Sequence, residues 1–369
     1  MQLLSLTASA ASAGPSGLAV MSNYLFSTAL VMLVVMTLVY LWYTIGSARL
    51  AKSLVGERAG GQNVRSKQAV AKAAVATASS SVSTLVKADS SDGQDNRDGH
   101  DVVMREQADG ERPIALNRSL ISVGRVGTIV GWFAVFMLFL SLLFRTIVEQ
   151  HAPWSNLYEF SLSFTTALLL CYLIFEARFH ERVRAWGLYV CALALVVVGI
   201  ALYIGFTYNL INSSPQLIPA LQDQPILTIH VSMAIFAYAL FSVAFGAGLI
   251  MLAQGGEGQR YRWLPSAEAA DELGYKAVIV GFPLLALTLI LGAYWANYAW
   301  GHYWSWDPKE TSALITWLIY AVYLHARGIR GWRGKRVAWL LTIGFAATLF
   351  TYYGVSFFVP SLHSYATPR

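Results

Sequence analysis

Eight apolar stretches, over 24–45, 126–148, 160–175, 185–208, 230–252, 277–298, 308–325 and 337–359, set the terms for everything else in this chain. Most approach or exceed the roughly 20 residues that a helix needs to cross a hydrocarbon core of about 30 Å. In that solvent every backbone N–H and C=O must be satisfied within the segment, which favours helices for such runs. The sequence therefore reads as all-α: a polytopic integral membrane helix bundle with eight predicted transmembrane helices. Composition agrees, because 56% of the residues are hydrophobic, 12% are charged and the mean hydropathy is +0.51, against roughly 25% charged in soluble domains.

Orientation follows from the basic residues. All but Arg145, Lys309 and Arg369 of the 26 Lys and Arg residues fall within 46–125, 178–184, 253–276 and 326–336. An excess of Lys and Arg marks cytoplasmic loops, so these segments are predicted inside and both termini extracytoplasmic. The net charge of +6 then reports topology, and no nucleic-acid partner is expected. Cys171 and Cys191 lie inside apolar runs with no C-x-x-C spacing, so they read as buried apolar side chains.

Residues 1–22 are small and polar, an extracytoplasmic N-terminal tail ahead of the first transmembrane helix at 23–45. Between 46 and 123 Ala, Ser, Gly, Gln and Asp dominate. Such a segment holds too little apolar side chain to offset ordering entropy and is predicted to be a disordered cytoplasmic linker, with room for an Ala-rich helix around 64–77. The other seven transmembrane helices form one domain over 124–365, followed by a tail at 366–369. Pro283 is expected to kink or offset the sixth span.

Between the sixth and seventh spans stand Trp295, Tyr298, Trp300, Tyr303, Trp304 and Trp306. The following residues read as a helix start, with Asp307 as N-cap, Pro308 at the first helical position and Glu310 placed to close a capping box. Two readings fit so much indole. It anchors two helices at a membrane boundary, or it forms a platform for a flat apolar ligand, Trp300 and Trp304 sharing a helical face.

The predicted topology places His151, His230, His302 and His363 outside and His325 at the cytoplasmic end of the seventh span, while His100 and His180 fall in polar cytoplasmic segments. The outer histidines are boundary residues, ligands of zinc or copper, or axial ligands of a haem. Zinc favours closely spaced ligands with Cys or carboxylate help, which His230 and His363 lack in sequence, whereas a haem needs two opposed imidazoles that different helices can supply.

Trp300, Gly301, Tyr303, Trp304, Trp306, Asp307, Pro308, Lys309, Glu310 and Thr311 together resemble the tryptophan-rich "WWD" signature of the cytochrome c assembly family. His151, Ala152, Pro153, Ser155, Asn156, Leu157, Tyr158 and Glu159 resemble the first outer-loop motif of its CcsA/ResC-type members. The stretches around His230, His325 and His363 resemble the histidines before the signature, after it and near the C-terminus. The resemblance runs from about 124 to 365 and implies a haem handler of System II cytochrome c biogenesis. It implies His230 and His363 as axial ligands of haem iron at an outer site, with Trp300, Trp304 and Trp306 as the haem platform. It further implies His325 as a ligand nearer the cytoplasm, positioning roles for His151, Asp307 and Glu310, and no family role for the variable His302. The implied cargo is non-covalent haem b, and the implied partners are apocytochrome c and a ResB/Ccs1-type membrane protein, with which the chain would form a haem lyase (synthetase) complex in the plasma membrane. The competing readings are System I-like haem delivery to a chaperone, a b-type haem electron carrier with histidine pairs at two depths, and a transporter without haem.

Overall fold

The computed structural model describes residues 15–80, 118–179, 181–211, 225–328 and 332–363, and there is no strand among the described residues. Eight long helices follow in chain order: α1 (Pro15–Ser80), α2 (Arg118–Glu149), α3 (Leu157–Phe179), α4 (Gly187–Thr207), α5 (Pro225–Ala253), α6 (Ala267–Trp300), α7 (Pro308–Gly328) and α8 (Lys335–Leu349). One π-helical turn, Phe350–Gly354, and a last short helix, Val355–Phe358, extend α8. Each of the eight matches one predicted span. Seven, α7 excepted and α8 counted with its extension to Phe358, are long and apolar enough to cross a membrane, and the chain is a multi-pass membrane helix bundle. α7 has sufficient length at 21 residues, or about 31 Å. Lys309, Glu310, Ser312 and Thr316 lower its apolar content.

Two boundaries differ from the sequence reading. The first helix was expected to end at 45 and a disordered linker to begin at 46, with a tail over 1–22; α1 instead runs from Pro15 to Ser80. A nucleated helix propagates readily through good helix formers, and the Ala-rich run over 64–77 is of that kind. Of the remainder of the predicted linker, 118–123 belong to α2 and 81–117 lie outside the described residues, as do 1–14, His180 and the tail from 364. α6 passes Pro283 unbroken.

α3 packs against α2, α4 and α5, while α5 also carries α6 and α8, so the chain's first and second halves meet along the α3–α5 contact. Phe241 of α5 stacks on Tyr320 of α7 at 3.7 Å and Phe245 stacks on Phe345 of α8 at 4.6 Å. α1 lies along α2, where a Cβ at Gly131 would come within 2.8 Å of Met36 Cε; small residues are what lets membrane helices approach this closely. Near one end of this pair the Ser22 hydroxyl donates to the Ser141 carbonyl and the Ser141 hydroxyl to the Ser22 carbonyl, both at 2.9 Å.

Near the other end Glu176 of α3 is 1% exposed. It accepts from Arg184 Nε at 2.9 Å and from the hydroxyls of Tyr40 (α1) and Thr128 (α2). A buried ion pair is tolerated only when its remaining lone pairs are also satisfied, and helices α1 and α2 each contribute a donor to that end. A second buried pair, Arg145 Nε with Glu159 Oε1 at 2.8 Å, sits nearer the tryptophan end, and Arg145 also donates to the carbonyls of Leu210 and Ile211.

Candidate functional site

The start of α7 is built as its residue types dictate. Asp307 Oδ2 accepts the Lys309 N–H at 3.0 Å, and Glu310 Oε2 reaches back to the Asp307 N–H at 3.2 Å and the Ser305 N–H at 3.0 Å. This closes the capping box and fixes the loop ahead of it. At the other side of the loop Gly301, in the left-handed conformation at φ 79°, terminates α6, a position glycine occupies without strain.

Asp307 does more than cap. It is 5% exposed, and its Oδ1 accepts the Leu362 N–H at 2.6 Å while its Oδ2 accepts His363 Nδ1–H at 2.9 Å. One carboxylate thus ties the α6–α7 loop to the segment that follows α8. Burial pushes the Asp307 carboxyl up, but the hydrogen bonds from His363, Leu362 and Lys309 outweigh it and hold the group below the ordinary carboxylate range. Burial pushes the His363 imidazole below its ordinary value, against the opposing pull of Asp307. The ring is therefore neutral near neutral pH, with its Nδ1 proton directed to Asp307 and its acceptor lone pair on Nε2.

His230, on the first turns of α5, repeats the device with a different acceptor. Its Nδ1 lies 2.7 Å from the Thr288 carbonyl on α6, which assigns the proton to Nδ1 and again leaves Nε2 with its lone pair. Gly292, one turn further on, makes the approach feasible: a Cβ there would stand 2.6 Å from His230 Cε1.

His230 and His363 line one open cleft, which encloses about 1050 Å³ counting its mouth. Trp154, Trp295, Trp300 and Trp304 contribute to its walls, with Tyr238, Tyr352 and Lys309. Trp300 meets the His363 ring edge-on at 5.2 Å and Trp295 at 4.8 Å. The Trp304 Nε1–H is buried and has no hydrogen-bond partner.

The structure gathers some of the predicted site residues and leaves others outside. His230, His363, Trp300, Trp304 and Glu310 line the cleft. Trp306 does not; it is 69% exposed and supports Trp304 edge-on at 5.6 Å. Its backbone at φ 58° is left-handed, a conformation of a bulky residue that redirects the side chain in a way no spacing reveals. His325 is exposed near the far end of α7, about 25 Å along the axis from the helix start. His151 contacts the Ala152 carbonyl at 2.9 Å and His302 the Trp300 carbonyl at 2.7 Å, and neither lines the cleft. Among the described residues no three His, Cys, Asp or Glu side chains form a metal-binding group.

Sequence reasoning missed Trp154, Thr288, Gly292 and the role of Lys309. It also passed over Asn156-x-x-Glu159, which has the spacing of a second capping box: Asn156 Oδ1 accepts the Glu159 N–H at 2.9 Å, and Glu159 Oε2 reaches one residue past the cap to accept the Ser155 N–H at 3.1 Å. That spacing ahead of an apolar run was a readable signal.

These features define a membrane helix bundle with a tryptophan-walled, two-histidine cleft at one end. Residues 154–363 match the family model described as "Cytochrome C assembly protein". The "Cytochrome c biogenesis protein CcsA" of Trieres chinensis is 35% identical over 283 residues, covering 67% of this chain and 88% of the relative. Its namesake in Prochlorococcus marinus (strain MIT 9515) is 36% identical over 251 residues, 61% of this chain and 79% of the relative. That of Chlamydomonas reinhardtii is 34% identical, over 69% and 72%. The chain belongs to the cytochrome c assembly family as a CcsA-type member, and its role lies in cytochrome c biogenesis.

Proposed function

We propose that the cleft takes haem b as cargo between His230 and His363, and that the chain presents it for covalent attachment to the C-x-x-C-H thiols of apocytochrome c within a haem lyase (synthetase) complex. One observation carries this reading. Two imidazoles from distant parts of the chain line the same aromatic cleft, each with its Nδ1 proton committed to an acceptor. Iron in a porphyrin has two axial positions, which neutral imidazoles fill well. The indole walls give the flat apolar ring a matching surface.

Attachment adds a thiol S–H across each haem vinyl group, sulfur to one carbon and hydrogen to the other, so no oxidant is consumed. What this chain supplies is an oriented ring held away from bulk water. In this reading the tryptophan end faces the extracytoplasmic side of the plasma membrane. His325, exposed alone at the opposite end of α7, belongs to a cytoplasm-proximal haem position that a ResB/Ccs1-type partner completes. Glu310 holds the loop that carries Trp304, His151 adjoins the Trp154 wall, and Trp306 supports the platform from behind.

Titration of the detergent-purified chain with haem is expected to give a low-spin, bis-histidine absorption spectrum that sharpens on reduction with dithionite. A high-spin or free-haem spectrum at saturating ratios would sink the reading. Gly292→Val is expected to push the His230 ring off Thr288 and convert the bound haem to a high-spin form, with haem affinity lowered by about 10–100-fold, the usual scale for disturbing a ligand's supporting contacts. An unchanged spectrum in that variant would show that His230 is not held through α6.

A further inference from the structure

We infer that the Lys309 ammonium is the carboxylate-recognition point of the cleft: it takes a propionate of the haem cargo and so decides which edge of the ring faces it. The inference rests on the haem reading above. Lys309 is the second residue of α7 and carries the only positive charge among the described residues that line the cleft. A cation inside a membrane bundle is expensive and marks a function by default.

The surroundings of the ammonium show how much of its capacity is unused. Lys309 Nζ donates to Ser356 Oγ at 3.1 Å. The Ser356 hydroxyl directs its own proton to the Tyr352 carbonyl at 2.8 Å, so it receives from the ammonium. An ammonium has three donors, and two remain. The neighbouring carboxylates are engaged elsewhere: Asp307 with Leu362, His363 and the Lys309 backbone N–H, and Glu310 with the N–H groups of Ser305 and Asp307. No ion pair joins Lys309 to a carboxylate among the described residues.

Haem carries two carboxylates on one edge and its vinyl groups on other positions of the ring. Two axial histidines fix the iron but not the rotation of the ring about the axis joining them. One cation on the wall breaks that degeneracy, since a charge-assisted hydrogen bond to carboxylate is about twice as strong as a neutral one and gains further in a dry cleft. Rotation matters for the chemistry because the thiols must find the vinyl groups.

The test uses the full chain, purified in detergent and stripped of haem, titrated with haem and with haem dimethyl ester. The wild type is expected to bind haem about tenfold or more tighter than the diester. Lys309→Met should lose that preference while keeping the diester affinity and the low-spin spectrum, and Lys309→Arg should retain most of it. A Lys309→Met protein with the wild-type preference, or a wild type without one, overturns the assignment. If Lys309→Met binds neither porphyrin, Lys309→Arg decides: a kept preference supports the anchor and a lost one overturns it. A wild type that binds neither overturns the haem reading itself, and this inference with it.

Discussion

Replacing His230 or His363 by glycine is expected to abolish cytochrome c maturation while leaving the protein in the membrane, and free imidazole is expected to restore part of it. The expectation follows from what each truncation leaves behind. The Thr288 carbonyl and the Asp307 carboxylate accept the ring Nδ1 protons at 2.7 and 2.9 Å, and both acceptors survive the substitution. An imidazole entering the vacated space finds an acceptor for one nitrogen and can offer the other to iron. Deleting 361–369 should resist such rescue, because Leu362 would no longer donate to Asp307 and that flank of the cleft would be lost. Maturation of a reporter cytochrome c, with the haem absorption spectrum of the purified variants, checks this. Both glycine variants showing the wild-type spectrum and full maturation would remove the two histidines from the site.

The second large effect is expected at Asp307. Asparagine is nearly as good an N-cap as aspartate, so Asp307→Asn should preserve the start of α7. It cannot preserve the rest, because Oδ1 and Oδ2 accept from three partners between them and an amide offers only one acceptor atom. Haem affinity should fall by about 10–100-fold, as when a ligand's orienting partner is removed. Asp307→Ala should add a loss of about 1 kcal/mol of stability from the missing cap, so the pair of variants separates positioning from folding. The pH dependence has a definite sign. The Asp307 carboxyl is held below its ordinary value, so its contribution is present above the ordinary carboxylate range and is lost as pH falls through the lowered value. His363 is also lowered, so its neutral form persists below the usual histidine midpoint. Haem affinity measured against pH should therefore hold through mildly acidic conditions in the wild type and fall in stronger acid, whereas Asp307→Asn should start from a lower affinity and show a weaker acid decline, because it has neither the titrating carboxylate nor its upward pull on His363. Identical affinities in the two proteins across that range would show that Asp307 does not act through His363.

What the sequence disclosed depended on whether the signal was local. The helix start at Asp307, Pro308 and Glu310 was readable because a capping box involves residues three apart. The eight helices were readable because apolar length is a local property. The return of Leu362 and His363 to Asp307 was not, since 55 residues and the whole of α7 and α8 intervene. Trp306 could not be separated from Trp304 by spacing, because a left-handed backbone turned it away. Charge inside the membrane misled in a different manner. The third span was read as ending at 175, one residue before Glu176, because hydropathy counts an acid as a boundary wherever its partner is. Arg184, Tyr40 and Thr128 satisfy that acid from elsewhere, and α3 continues to Phe179.

The same acid bears on where this protein can be cut. The family match begins at 154, yet Tyr40 and Thr128, which lie before it, complete the hydrogen bonding of Glu176, and Phe26, Leu33, Met36 and Tyr40 of α1 are buried in the common core. The family-model match is therefore shorter than the unit of folding. A fragment trimmed to 154–363 would keep both histidines and every tryptophan of the cleft, but it would expose the α1- and α2-facing side of α3 to lipid with a carboxylate on it. Removing partners from a buried charge is destabilising by about 3–5 kcal/mol where it breaks an ion pair, and less where only hydroxyl donors go. Expression designs and domain transplants made along the match boundary would inherit that defect, whereas ones that begin ahead of α1 would not.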